Sequence, residues 1–166
     1  MEIKLAQINQ VKEIFAILSN CKTRLEEQGI YQWVTNYPNM STVENDIKNE
    51  HLYCAIIENR CGGTICINQK QEPEYASVSW NGNTDKALVI HRLAVAPDYQ
   101  GQGIAKEIMK FAERYGIDNN FSTIRLDAFS ANKHSLSFYE NIGYQKRGEV
   151  YFPDRELPFF CYEKVL

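Results

Sequence analysis

Between Ala96 and Glu107 the chain reads APDYQGQGIAKE, setting Gly101 and Gly103 around Gln102 where an apolar run gives way to an amphipathic stretch. A strand that ends in such a turn and continues as a helix presents the helix's unpaired backbone N–H groups. Glycine lets that backbone take positive φ and approach a ligand closely, and the helix dipole adds about half a positive charge there. The chemistry is anion binding. Two familiar phosphate loops do not match: no GxxxxGK followed by Ser or Thr occurs, and the GxGxxG or GxGxxA fingerprint fails because its third position is Lys106.

What does match is Gln100-Gly101-Gln102-Gly103-Ile104-Ala105, preceded by LAVAPDY. It resembles the QxxGxA acetyl-CoA loop of the GNAT superfamily of N-acetyltransferases. Downstream, NKHSLSFYENIGY from Asn132 to Tyr144 is similar to that family's second signature. In element order the resemblance covers essentially the whole chain, and its specific letters run from Ile90 to Tyr144.

The resemblance implies a cofactor and a set of roles. The strand matching Leu88–Val95 would splay from the strand matching Thr123–Phe129, admitting the pantetheine arm of acetyl-CoA against the backbone of Leu93, Ala94 and Val95. The diphosphate would rest on the amides of Gln100, Gly101, Gln102, Gly103, Ile104 and Ala105. Asn132, Ser135 and Phe138 would complete the cofactor contacts, with Tyr139 as general acid toward the departing thiolate. Placed on one helix, Asn132 and Tyr139 share a face about 10.5 Å apart. A phenol is a weaker acid than a thiol by roughly 2 kcal/mol, so hydrogen bonding to the developing thiolate would be the main contribution of Tyr139. No acyl-enzyme is required, because an amine held beside the thioester can attack directly.

The acceptor must lose a proton. An alkylamine at neutral pH is almost wholly protonated, a cost of roughly 4.6 kcal/mol. Ala87–Val95 contains no carboxylate, so His91 and, across the gap, Asp127 are the candidate bases. His91 could equally be a strand histidine satisfied by a neighbour, and Asp127 could pair with Arg92 or Arg125. Tyr31 and Trp33, with Tyr37, fall in the region that covers the acceptor side in the family, near Glu26 and Glu27. They could form a cationic-amine cage or simply pack on the core. His51 and His134 read as surface residues.

The elements that must hold these residues follow from periodicity. Ile3 and Leu5 alternate as a strand, and Ile8, Val11, Phe15 and Leu18 then recur at helical steps. The segment from Ser41 reads as a short helix opened by a Ser or Thr cap. Leu52–Ile57 and Thr64–Ile67 read as an antiparallel hairpin around ENRCGG. Asn68–Asp85 is polar and reads as a long excursion or a second hairpin. Ala87–Val95 is a nearly continuous apolar run, the pattern of a strand covered on both faces. A helix from Gly103 to Tyr115 should end at Gly116, and Thr123–Phe129, Lys133–Asn141, Tyr144–Glu149 and Phe159–Val165 read as strand, helix, strand and strand.

These elements describe an α/β chain with an antiparallel first half and a strand–helix–strand crossover in the second. By resemblance the architecture is a GNAT-like mixed sheet of six to seven strands, with a parallel splayed pair at its centre and about four helices. A length of 166 residues favours one domain, 1–166. Eighteen basic against twenty-one acidic side chains leave a net charge of −3 without a basic stripe, which argues against nucleic acid as partner. No apolar run spans a bilayer and the first residues read as a strand, so no membrane partner and a cytoplasmic setting are expected. The five cysteines form no CxxC pair and have no histidine at zinc spacing, so no metal is expected. Cys54 and Cys66 could approach each other across the hairpin.

The reading is an acetyl-CoA-dependent transferase acting on an amine of a small molecule or peptide, and it leaves room for a homodimer. The missing strand carboxylate favours a non-catalytic acyl-CoA sensor or scaffold as the alternative. A different acyl group or an alcohol acceptor would keep the enzyme but change its product.

Overall fold

The computed structural model describes all of residues 1–166. Seven strands form one mixed sheet in the order β1-β2-β3-β4-β5-β7-β6, flanked by four helices. The strands are β1 Glu2–Leu5, β2 Leu52–Ile57, β3 Arg60–Asn68, β4 Ala87–Val95, β5 Thr123–Phe129, β6 Gln145–Val150 and β7 Phe159–Val165; the helices are α1 Val11–Glu27, α2 Met40–Lys48, α3 Ile104–Asp118 and α4 Lys133–Asn141. The chain divides into two compact units, one of residues 1–67 and 91–112, the other of 68–90 and 113–166.

In the first unit β1, β2 and β3 are antiparallel neighbours, with Ile3 opposite Ala55 and Cys54 opposite Thr64. The hairpin turn is only Glu58-Asn59, both at positive φ, as a two-residue type I′ turn requires. Gly62 and Gly63 therefore belong to β3 and not to the turn. Their role is close packing: a Cβ on Gly63 would lie 2.8 Å from Ile108 Cδ1 of α3 and 3.1 Å from the carbonyl oxygen of Ala94. The register sets Cys66 opposite Leu52, so Cys54 meets Cys61 instead, with sulfurs 2.7 Å apart. All five cysteines are free and buried.

Helix α1 buries Val11, Ile14, Ile17, Leu18 and Cys21 at the three- and four-residue steps of one face, each fully buried large side chain contributing roughly 1.5–3 kcal/mol. Ile8 falls outside it, in a short 3-10 turn, and is exposed. The cap of α2 is Asn39, whose side-chain oxygen accepts from the Thr42 amide at 2.9 Å, and not Ser41 or Thr42.

In the second unit β4 and β5 are parallel, pairing Ala87 with Thr123, Leu88 with Ile124 and Val89 with Arg125. Strand β7 runs antiparallel to β5 and to β6. The polar segment after β3 is an excursion rather than a hairpin, built from two 3-10 turns at Pro73–Ser77 and Thr84–Lys86. Buried Arg125 ties it down: its guanidinium reaches Glu163 at 3.2 Å, Gln71 at 2.7 Å and the Gly82 carbonyl at 2.9 Å. Glu163 in turn accepts from the amides of Asn81 and Gly82.

Helix α3 runs through Gly116 to Asp118, past its expected end. Gly116 is needed for proximity, since a Cβ there would stand 2.5 Å from Leu166 Cδ1. The left-handed residue that closes the helix is Asn120, at φ 60, and the Phe121 amide returns to the Gly116 carbonyl at 2.9 Å.

Candidate active site

The glycine loop lies within the first unit, between the end of β4 and the start of α3. After Val95 the chain makes one 3-10 turn, Pro97–Tyr99, and then passes through Gly101 at φ 76 and Gly103 at φ 79. Both glycines occupy the left-handed region that a side chain disfavours by roughly 1–2 kcal/mol. A Cβ at either would meet nothing within 4 Å, so the glycines are there for conformation and an open face, not for packing. The helical ladder opens with the Glu107 amide on the Gly103 carbonyl at 3.2 Å. The amides ahead of it belong to the turn that a helix leaves without intrahelical carbonyls. Gly101, Gln102 and Gly103 are exposed, which leaves this cradle accessible to an anion.

The loop is pinned from behind. Gln100 donates its side-chain amide to the Val95 carbonyl at 2.9 Å, and the Cys21 thiol donates to the same oxygen at 3.2 Å. Gln102 donates its side chain to the Asp98 carbonyl at 3.1 Å, and the Ala96 amide reaches the Gly62 carbonyl at 2.9 Å. The two glutamine side chains therefore hold the turn.

Strand β4 is not a uniform apolar run. Arg92 sits at φ 49, and His91, Arg92 and Leu93 are only partly buried. The Arg92 guanidinium pairs with Asp46 of α2 and also takes the Tyr37 hydroxyl as partner. A left-handed residue inside a strand breaks the two-residue alternation, and the sequence carries no glycine or asparagine here to announce it. Tyr37 thus has the chain's own cation beside its ring, 5.9 Å from the centroid. Trp33 packs against the core of the first unit, while Tyr31 is 60% exposed.

In the second unit Asn132 is the N-cap of α4 rather than part of the helix, as a short polar residue favours: its Oδ1 accepts from the Ser135 amide at 3.1 Å. That bond occupies the Ser135 amide. Phe138 stacks edge-on with Tyr139 at 5.2 Å. Tyr139 is 9% exposed and also lies 6.1 Å from the rings of Tyr144 and Tyr162. Burial, and then the charge of Asp127, raise the proton affinity of its phenol. Tyr139 is thereby held protonated, a hydrogen-bond donor rather than a strong acid.

Neither ion pair considered for Asp127 forms: Arg92 is taken by Asp46 and Arg125 by Glu163. Tyr75 instead donates its hydroxyl to Asp127 Oδ2 at 2.6 Å. Burial pushes the Asp127 carboxyl up to about 6 against the pull of that hydrogen bond, with Glu72 and Glu74 adding to the rise. The structure brings Tyr139 and Asp127 within electrostatic reach of each other in one unit, leaving His91 on β4. Tyr75 was not legible as the partner of Asp127, because it stands in a polar excursion without periodicity. His134 is exposed and His51 half-buried.

A family model described as the acetyltransferase (GNAT) family matches residues 12–144. This chain belongs to the GNAT acetyltransferase family. Among curated relatives, this GNAT chain is 24% identical over 118 residues to human N-acetyltransferase 8B, covering 68% of the chain and 49% of that protein. It is 30% identical over 72 residues to bovine thialysine N-epsilon-acetyltransferase, covering 43% of the chain and 41% of that protein. The chain therefore spans about half the length of these relatives, or less. Among solved structures, a GNAT acetyltransferase from Streptococcus agalactiae matches with a TM-score of 0.85 at 21% identity, over 99% of this chain and 95% of that one. The PaiA N-acetyltransferase from Thermoplasma acidophilum, solved with coenzyme A, matches with a TM-score of 0.75 at 18% identity, over 99% and 98%. These structural likenesses establish the fold. No helix here is long and apolar enough to cross a membrane.

Proposed function

We propose that this chain is an acetyl-CoA-dependent N-acetyltransferase that moves an acetyl group to a primary amine of a small molecule or peptide by direct attack. The observation that carries this reading is the paired left-handed conformation of Gly101 and Gly103 at the opening of α3, with nothing where a Cβ would stand. An open backbone cradle at a helix N-terminus suits a diphosphate. The reading assigns that group to the amides of Gln100–Ala105 and the pantetheine arm to the backbone of Leu93 and Ala94; the carbonyl of Val95 is already spent on Gln100 and Cys21. The family resemblance would give Asn132 and Phe138 cofactor contacts as well.

Tyr139 serves as the acid. Asp127, which shares its unit and its electrostatic field, is the proton acceptor in preference to His91. The amine enters neutral, its ammonium proton left to water, and its nitrogen forms the C–N bond while the C–S bond breaks with its electron pair passing to sulfur. Nitrogen gives up one proton to the Asp127 carboxylate, and sulfur gains one through the Tyr139 hydroxyl. The proton held by Asp127 replaces the one supplied, so both groups return to their starting states. A carboxylate on β5 also answers the lack of one on β4, which was the reason to favour a non-catalytic sensor.

The deciding experiment is thiol release from acetyl-CoA with a panel of alkylamines, followed by the mass of the product. An acetylated amine supports the reading. Micromolar binding of coenzyme A without turnover on any amine overturns it in favour of the sensor.

A further inference from the structure

The surroundings of Asp127 are built by a residue that the reaction as drawn does not use. Asp127 lies on β5 opposite Cys161 of β7 and is half-buried. The Tyr75 hydroxyl that donates to it comes from a side chain 2% exposed, packed with Val89, Val150 and Cys161. Trp80 braces Tyr75 twice: the rings stand 5.2 Å apart, and the indole N–H donates to the Tyr75 carbonyl at 3.0 Å. Pro73 opens the 3-10 turn that carries Glu74 and Tyr75, and the Ser77 hydroxyl closes it on the Glu74 carbonyl at 2.9 Å. The Glu74 Oε2 atom is buried without a hydrogen-bond partner. A fixed turn thus delivers one hydroxyl donor to Asp127 and sets the side chain of Glu74 within its electrostatic reach.

We propose that Tyr75 is the positioning residue of the proton acceptor: its buried hydroxyl aims the Asp127 carboxylate for the incoming amine. This rests on Asp127 acting as the acceptor in the reaction proposed above. The groups that face it sort cleanly. Glu72, Glu74 and Tyr75 come from the excursion, Cys161 from β7 with Lys146 of β6 near its thiol, and Tyr139 from α4. Burial pushes the Cys161 thiol up to about 12 and also raises Tyr139 and Tyr75. Asp127 is therefore the member whose charge changes near neutrality. Its hydrogen bond from Tyr75 lowers its proton affinity while the two glutamates raise it, so variants on the two sides act with opposite sign.

The test uses the full chain as wild type, Tyr75→Phe, Glu74→Gln and Asp127→Asn. The Asp127 carboxyl carbon is titrated by carbon-13 NMR from about pH 4 to 9, a window spanning the range over which a raised carboxyl ionises. Turnover is followed over the same range with saturating acetyl-CoA and whichever of lysine, thialysine, spermidine or an alanyl peptide is accepted. Asp127→Asn removes both the resonance and the acid limb of kcat. Tyr75→Phe moves midpoint and limb upward together by about one pH unit, which at pH 6 lowers the ionised fraction roughly fivefold. Glu74→Gln moves both downward. A midpoint that shifts while the kcat limb stays in place makes Tyr75 merely structural and overturns the inference. A limb that survives Asp127→Asn overturns the assignment of the acceptor itself, and no turnover with any amine overturns the parent reading.

Discussion

Gln100 donates its side-chain amide to the carbonyl of Val95, five residues behind it, at 2.9 Å. This bond folds the loop back on the end of β4, just ahead of the two left-handed glycines. Gln100→Ala removes the pin without touching the cradle. It should weaken coenzyme A binding by several-fold, in line with the ~1 kcal/mol net worth of one hydrogen bond, with little change in melting temperature. Isothermal titration with coenzyme A measures it; a loss of thermal stability in place of affinity would assign Gln100 to folding alone.

Gly103 tests the cradle itself. Gly103→Ala meets no atom within 4 Å but must hold φ 79, at a cost of roughly 1–2 kcal/mol that should appear as about a tenfold loss in coenzyme A affinity. Gly103→Glu adds negative charge at the proposed diphosphate site and should abolish binding. Equal affinities for the two variants would show that charge there is irrelevant.

Tyr139→Phe keeps the ring contacts with Phe138, Tyr144 and Tyr162 and removes only the hydroxyl. Turnover should fall by about a hundredfold or more while coenzyme A affinity stays within twofold, the pattern of a group that acts on the reacting bond. His91→Ala should leave the acid limb of the pH profile in place. A limb lost with His91 would move the base to β4.

Asp127 sets function against stability. Its folded carboxyl is raised from the ordinary carboxylate range to about 6, so between about pH 4 and 6 the folded state binds more protons than the unfolded one. Stability therefore falls as pH rises through that window. Asp127→Asn should stabilise the protein at pH 7.5 by on the order of 1–3 kcal/mol while lowering turnover and removing its acid limb, and the stabilisation should vanish below about pH 4. Urea denaturation at the two pH values reads both signs.

The Arg125–Glu163 pair makes the opposite prediction. Burial opposes the Glu163 charge, but the amides of Asn81 and Gly82 and the side chains of Arg125 and Thr123 outweigh it and hold the carboxyl below its usual range. Its stabilising contribution is present above the unfolded value near 4.5 and lost as pH falls through the lower folded one. Glu163→Ala strands a fully buried guanidinium and should cost about 3–5 kcal/mol. Chemical denaturation measures this; a loss under 1 kcal/mol would mean that Gln71, Thr84 and the Gly82 carbonyl satisfy Arg125 without it.

Local physics made the glycine turn before α3, the strands β4, β5 and β7 and the helix α4 legible from the sequence, because glycine spacing, apolar runs and a 3.6-residue period act within one element. Tyr139 is singled out only by the letters it shares with a family. Other local rules point to the wrong place: Gly63 and Gly116 look like turn and cap residues, yet they mark where a Cβ would collide with a side chain or backbone distant in sequence. What the tertiary structure decided is the company each charge keeps. Arg92 could have met Asp127 but meets Asp46, and Arg125 could have met it but meets Glu163. Asp127 is left to Tyr75, 52 residues away in a segment with no periodicity. Which of several possible partners a buried charge takes depends on burial and on distances between separate elements, and one-dimensional spacing records neither.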